Sequence, residues 1–247
     1  RVADALAHLA HRRGLQLERD GRVADDRLVD RLDRFSVGLG DVNAVKRMVG
    51  GTANDVALAI VAGGLRDYLA ERGEPVADLR LRAMVPVSVR RRSQRMTLGN
   101  HISAVFADLP VHLDDALDRA TAASAEMVRL KTEAHADGID WFLRAAEHVP
   151  APLYAAVAGW LPETQWAVNL VVTNVPGPGA PLYCLGGRMV EAYPYLGPVG
   201  RLALMISVLR YNRRLFFGRG GDADAVADMD LLAEAMEKAA GELFSLV

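Results

Sequence analysis

Between residues 168 and 178 an apolar run stops against two prolines. The stretch reads Val168-Asn-Leu-Val-Val172, then Thr173-Asn174-Val175-Pro176-Gly177-Pro178. Val171 and Val172 are β-branched and suit a pleated surface, so the run predicts a buried strand. Neither proline has an amide hydrogen to give to a ladder, so pairing has to stop there. Thr173 and Asn174 are then expected at the strand end, where the chain turns and polar groups are presented to a ligand.

The 247 residues are 51% apolar and 24% charged, enough for a sizeable core in one large domain or two small ones. A net charge of −2 provides no bulk field to recruit nucleic acid. Cys184 is the only cysteine, so neither an intrachain disulfide nor a cysteine-held zinc can form. No stretch reaches the roughly 18 uninterrupted apolar residues of a membrane span. The single cysteine fits a reducing cytosol, and the start lacks the long apolar core of a signal peptide. The sequence starts at Arg1 without methionine and runs straight into a helical pattern, as expected of a fragment or of one product of a cut chain.

Residues 1–29 are expected to be a connector or the end of a preceding half, and residues 30–247 a domain. A strand is expected at Arg34–Leu39, then a short helix capped by Asp41 and ended by Gly50-Gly51. Thr52 or Asn54 should start a long helix to about Arg72, apolar on one broad face. Strands are expected at Leu79–Val89 and Gly99–Leu109, followed by an amphipathic helix from Leu113 to about Glu133. Trp141–His148 and Pro152–Trp160 read as shorter helices. Four strands should follow, at Ala167–Thr173, Arg188–Tyr195, Ala203–Leu209 and Arg214–Gly218, then a final helix capped by Asp228 or Asp230. This alternation predicts an α/β fold: a two-layer sandwich, its mixed β-sheet covered by helices on one face.

Asn54 and Asp55 open the long helix, where both side chains suit free amides and the positive dipole end. A role for Asp55 in orienting a neighbouring loop or an arginine is the functional alternative. His135-Ala-Asp137-Gly138 lacks the spacing and the second histidine of an acyl-transfer His-His-x-x-x-Asp-Gly motif, and reads as a helix-ending turn. His101 shows no partner spacing for catalysis or metal binding. Gly38-Leu39-Gly40 lacks the third glycine of a dinucleotide loop, and Asp222, Asp224, Asp228 and Asp230 lack a calcium loop's glycine and terminal glutamate. Arg90-Arg91-Arg92 with Arg95 suits a solvated turn or a phosphate contact. Val149–Trp166 suits core and loop, or an apolar lip that meets lipid or a partner.

Five segments in order resemble the bacterial wax ester synthase/diacylglycerol acyltransferase family. They are Gly51-Thr-Ala-Asn54-Asp55-Val-Ala-Leu-Ala59, Val85-Pro86-Val-Ser88-Val-Arg90, and Gly99-Asn100-His-Ile-Ser103 running to Asp108-Leu-Pro110. Thr173-Asn-Val-Pro-Gly-Pro178 with Pro181-Leu-Tyr183, and Leu215-Phe-Phe-Gly218, complete the set. The resemblance implies a chloramphenicol acetyltransferase-like fold made of two α/β halves with a tunnel between them, this chain matching the C-terminal half. It implies an acyl-CoA-dependent O-acyltransferase that makes triacylglycerol or wax esters, without a cofactor or metal. The general-base histidine would come from an N-terminal half bearing His-His-x-x-x-Asp-Gly, absent here. Acyl-CoA would be the co-substrate, diacylglycerol or a fatty alcohol the acceptor, and a membrane or lipid-inclusion surface the workplace. Active-site support would fall to Asn54, Asp55, Thr173, Asn174, Pro176 and Gly177. Contacts to substrate or coenzyme A would fall to Ser88, Arg90, Asn100 and Ser103. A non-catalytic scaffold domain and a condensation-type domain acting on carrier-protein thioesters are the rival readings.

Overall fold

The structure is a computed structural model that describes residues 35–88, 102–136, 168–197, 202–222, 226 and 228–247. Its order is β1 (Phe35–Gly38), α1 (Leu39–Met48), α2 (Ala53–Glu71), β2 (Leu81–Ser88), β3 (Ile102–Leu109), α3 (Ala116–Ala136) and β4 (Leu170–Pro176). Then come β5 (Tyr183–Cys184), β6 (Gly187–Arg188), β7 (Leu204–Tyr211), β8 (Arg214–Gly221) and α4 (Met229–Phe244). Six strands form one sheet in the order β1-β8-β7-β4-β2-β3. β2, β4 and β7 run parallel, while β3, β8 and β1 each pair antiparallel with their neighbours.

The two faces of the sheet follow from the pleat, because successive side chains alternate. Ala83, Val85, Leu170, Val172, Ile206, Val208, Leu215 and Phe217 belong to the core under the helices. α2 lies at the centre of that layer and packs on α3 and α4. Every residue from Asp55 to Leu65 is buried, so α2 is not the one-faced amphipathic helix expected from its pattern. Its many alanines and glycines let neighbours approach on several sides.

Among the described residues no helix covers the opposite face. The segment from Gly177 to Gly197 crosses it instead, with Tyr193 edge-on to Phe216 at 5.1 Å. Tyr211 ties this strap down: its hydroxyl accepts the Leu182 N–H at 2.8 Å and donates to the Met189 carbonyl at 2.7 Å. Only Tyr183–Cys184 and Gly187–Arg188 in it form a ladder, so the strand expected at Arg188–Tyr195 is replaced by chain that packs on the sheet. Tyr211→Phe is expected to cost about 1–2 kcal/mol, because two strap groups lose their partner at once. Urea unfolding measures this, and an unchanged midpoint would refute the clamp.

Other boundaries shift for local reasons. α1 begins two residues before Asp41, which sits in the first turn rather than at the cap. α3 starts at Ala116 instead of Leu113, because the Asp115 carboxylate accepts the N–H groups of Leu117 and Asp118 at 2.8 and 2.9 Å. β4 continues to Pro176 rather than stopping at Thr173, and β8 reaches Gly221. Asp228 does precede α4, but its carboxylate meets Arg72 at 2.6 Å instead of capping the helix. The helices expected at Trp141–His148 and Pro152–Trp160 lie outside the described residues, as do residues 1–34. Among the described residues no single helix is long and apolar enough to cross a membrane.

Candidate active-site cleft

β2 and β4 begin as neighbours and then part. Asn169 fixes the start: its N–H donates to the Arg82 carbonyl at 2.8 Å, and its Oδ1 accepts the Arg82 N–H at 2.7 Å. The parallel ladder pairs Ala83 with Leu170 and Met84 with Val171 and goes no further. Beyond it, β2 stays with β3 as far as Ser88–Ile102, and β4 stays with β7 as far as Pro176–Arg210. The carboxyl ends of two parallel strands therefore diverge, the kind of place where open α/β sheets bind ligands.

A cleft of about 320 Å³ lies there. Pro86 and Val87 form the β2 side, and Asn174, Pro176 and Arg210 the β4–β7 side. Ala53 and Asn54 at the start of α2 form its end, while Met127 and Lys131, one turn apart on α3, come in from the helix layer. Asn174 donates through Nδ2 to Asn54 Oδ1 at 3.3 Å, joining residues 120 positions apart. The lining offers amide groups and two cations. Among the described residues it holds no histidine, carboxylate or thiol, so it suits binding or stabilising negative charge and lacks a general base of its own.

The start of α2 explains how Asn54 is freed for this. Thr52, in extended geometry, occupies the N-cap, so Asn54 does not cap the helix. Asp55, 1% exposed, accepts the Thr52 N–H at 2.8 Å through Oδ2, half of a capping box. Its Oδ1 is buried without a hydrogen-bond partner. Asp55 thus lies behind the cleft and fixes the turn that presents Asn54.

Thr173 and Asn174, adjacent in sequence, separate in space. Thr173 pairs with Ser207 on the face away from the helices, while Asn174 enters the cleft. Gly177 sits where β4 leaves β7, and a side chain there would overlap the Arg210 carbonyl. Gly177→Ala is expected to cost about 1–3 kcal/mol by forcing those strand ends apart; a thermal midpoint equal to wild type would contradict this. Backbone pairing places Ser88 opposite Ile102 and Ser103 opposite Val87 at the outer ends of β2 and β3. Arg90, Asn100, His101 and Val149–Trp166 lie outside the described residues. Lys131, Met127 and Arg210 escaped the sequence reading, although Lys131 is one of only three lysines and follows Met127 by one helical turn.

A mixed sheet with helices on one face, opened at the ends of parallel strands, defines a condensation-like domain of the chloramphenicol acetyltransferase type. Nonribosomal peptide synthetase and epimerisation-domain structures share the fold at 14% and 12% identity, with TM-scores of 0.56 and 0.53. The chain belongs to the wax ester synthase/diacylglycerol acyltransferase family: residues 98–243 match the WS/DGAT C-terminal domain. A probable diacylglycerol O-acyltransferase of Mycobacterium tuberculosis is 33% identical over 228 residues, covering 92% of this chain and 49% of that protein. A second protein of that name and organism is 32% identical over 209 residues, covering 84% of the chain and 46% of the relative. The wax ester synthase/diacylglycerol acyltransferase of Marinobacter aquaeolei VT8 superposes with a TM-score of 0.67 at 26% identity, covering 86% of this chain and 48% of that one. The chain thus spans about half the length of the relatives it matches.

Proposed function

We propose that this chain is the C-terminal half of an acyl-CoA-dependent O-acyltransferase that makes triacylglycerol or wax esters, with the catalytic histidine supplied by an N-terminal half. The observation that carries the reading is the meeting of Asn54 and Asn174 in a cleft that, among the described residues, has polar donors and cations but no base. Such a surface complements the half of an acyl transfer that develops negative charge. The names of the 33%-identical relatives support the same chemistry.

In this mechanism a histidine of the other half removes the proton from an acceptor hydroxyl, and the oxygen attacks the thioester carbonyl. Charge collects on the former carbonyl oxygen, where preorganised amide donors favour it. Collapse expels the coenzyme A thiolate, which takes up the proton held by the histidine. Asn174 and Asn54 are the proposed donors, and Lys131 and Arg210 are proposed to attract the anionic donor substrate. The acceptor is proposed to be a diacylglycerol or a long-chain alcohol.

The test is acyl transfer from radiolabelled acyl-CoA to diolein and to hexadecanol. It compares the intact protein with this 247-residue chain alone. Turnover by the intact protein only is the expected result. Product from the isolated chain would overturn the base-free assignment, and no product from the intact protein would overturn the function.

A further inference from the structure

The strap ends its first section in a small hairpin, β5–β6, that projects apolar groups into solvent. Leu185 at its tip is fully exposed, with Leu182, Tyr183 and Val190 exposed beside it. Leu185 and Gly186 both have positive φ, at 49° and 81°, the backbone of a type I′ turn. Glycine or asparagine holds such a position without strain, whereas leucine does not. A leucine that is strained and buries nothing contributes nothing to this fold. The hairpin is nonetheless held firmly, by the two Tyr211 hydroxyl bonds and by the Met189 N–H to Leu182 carbonyl bond at 2.9 Å.

Positive charge lies near the base of the hairpin. Arg188 is on it, and Arg213 and Arg214 are exposed at the neighbouring β7–β8 turn, where Arg214 also donates to the Ser36 hydroxyl and carbonyl; Glu191 is exposed close by in sequence. The turn is tied to the start of the strap, where the Asn212 N–H donates to the Pro178 carbonyl at 3.1 Å. Pro176, just before the strap begins, also lines the cleft. An apolar tip, a tyrosine behind it and arginines near its base match the layers of an anionic lipid surface.

We infer that the β5–β6 hairpin is a membrane-docking prong, with Leu185 entering the acyl region of an anionic bilayer and the arginines meeting headgroup phosphates. The inference rests on the proposed function only in that an enzyme acting on lipid must reach its acceptor in a membrane.

The experiment is sedimentation of the intact protein with phosphatidylglycerol/phosphatidylcholine vesicles, without acyl donor. Binding is expected, weaker on pure phosphatidylcholine and at high salt. Leu185→Gly relieves the turn, so its thermal midpoint should equal or exceed wild type while vesicle affinity falls at least about tenfold. Equal binding by Leu185→Gly, or no binding by wild type, would overturn the prong. A polarity-sensitive dye on exposed Cys184, with any other cysteines of the intact protein replaced by serine, gives a second reading. It should shift to the blue only when vesicles are added. A dye already shifted in buffer would show the hairpin covered by protein and overturn the inference. Vesicle binding through Leu185 by a protein that transfers no acyl group would leave the prong standing and remove the functional reading.

Discussion

Gly218→Ala is expected to lower stability by about 3 kcal/mol or more. Gly218 lies on β8, and an added methyl would overlap the Pro194 carbonyl of the strap. β8 cannot yield, since it is paired with β1 on one side and β7 on the other. The strap must lift instead, and lifting it uncovers Phe216 and Tyr211, two of the largest buried side chains. Thermal unfolding followed by circular dichroism, with binding of a hydrophobic dye at room temperature, reads both effects. A midpoint like that of wild type with no dye binding would show that the strap adapts. Gly220→Ala meets the Leu196 carbonyl in the same way. Since one displacement relieves both overlaps, the double variant should lose less than the sum of the singles.

Asn174→Ala and Asn54→Ala are each expected to reduce acyl transfer by the intact protein about tenfold to hundredfold, with little change in stability. Each removes a side chain from the cleft and leaves its partner amide free to rotate. If the two act as one unit, the double variant should be scarcely slower than the worse single. Steady-state kinetics over the four proteins of this cycle decide the matter. Losses that multiply would mean independent roles, and unchanged rates in both singles would remove the cleft from the chemistry. Thr173→Ala, on the other face of the sheet, should have the smaller effect on turnover.

Much of the fold was legible because hydrophobic period and local punctuation agree. Glycines after Val49, Thr52 before an alanine-rich run, and β-branched pairs at 171–172 each point to the element that forms. Pairs of motif residues were legible too, but not their geometry. Nothing in Thr173-Asn174 says which residue faces the helices, since that depends on the register of β4 against β7. Pro176 predicts a stop, yet a proline is tolerated on the last rung beside an edge that β2 has already left. The apolar alternation at Arg188–Tyr195 resembles a strand because packing on a sheet and pairing within one call for similar side chains. Lys131 and Arg210 were invisible because a cleft formed by parting strands gathers residues from six elements, and no spacing in the sequence encodes that.

The position of β1 has a consequence for biosynthesis. Among the described residues its sheet pairing is with β8 alone, Phe35 opposite Phe217. Ribosomes add roughly 5–20 residues per second, so β1 emerges on the order of ten to forty seconds before its mate exists. During that interval Phe35 and Val37 have no ladder to join, and the central helix α2 waits for α4 as well. The sheet can close only once β8 has been made, so the apolar strands formed before it stay exposed to chaperones for that interval.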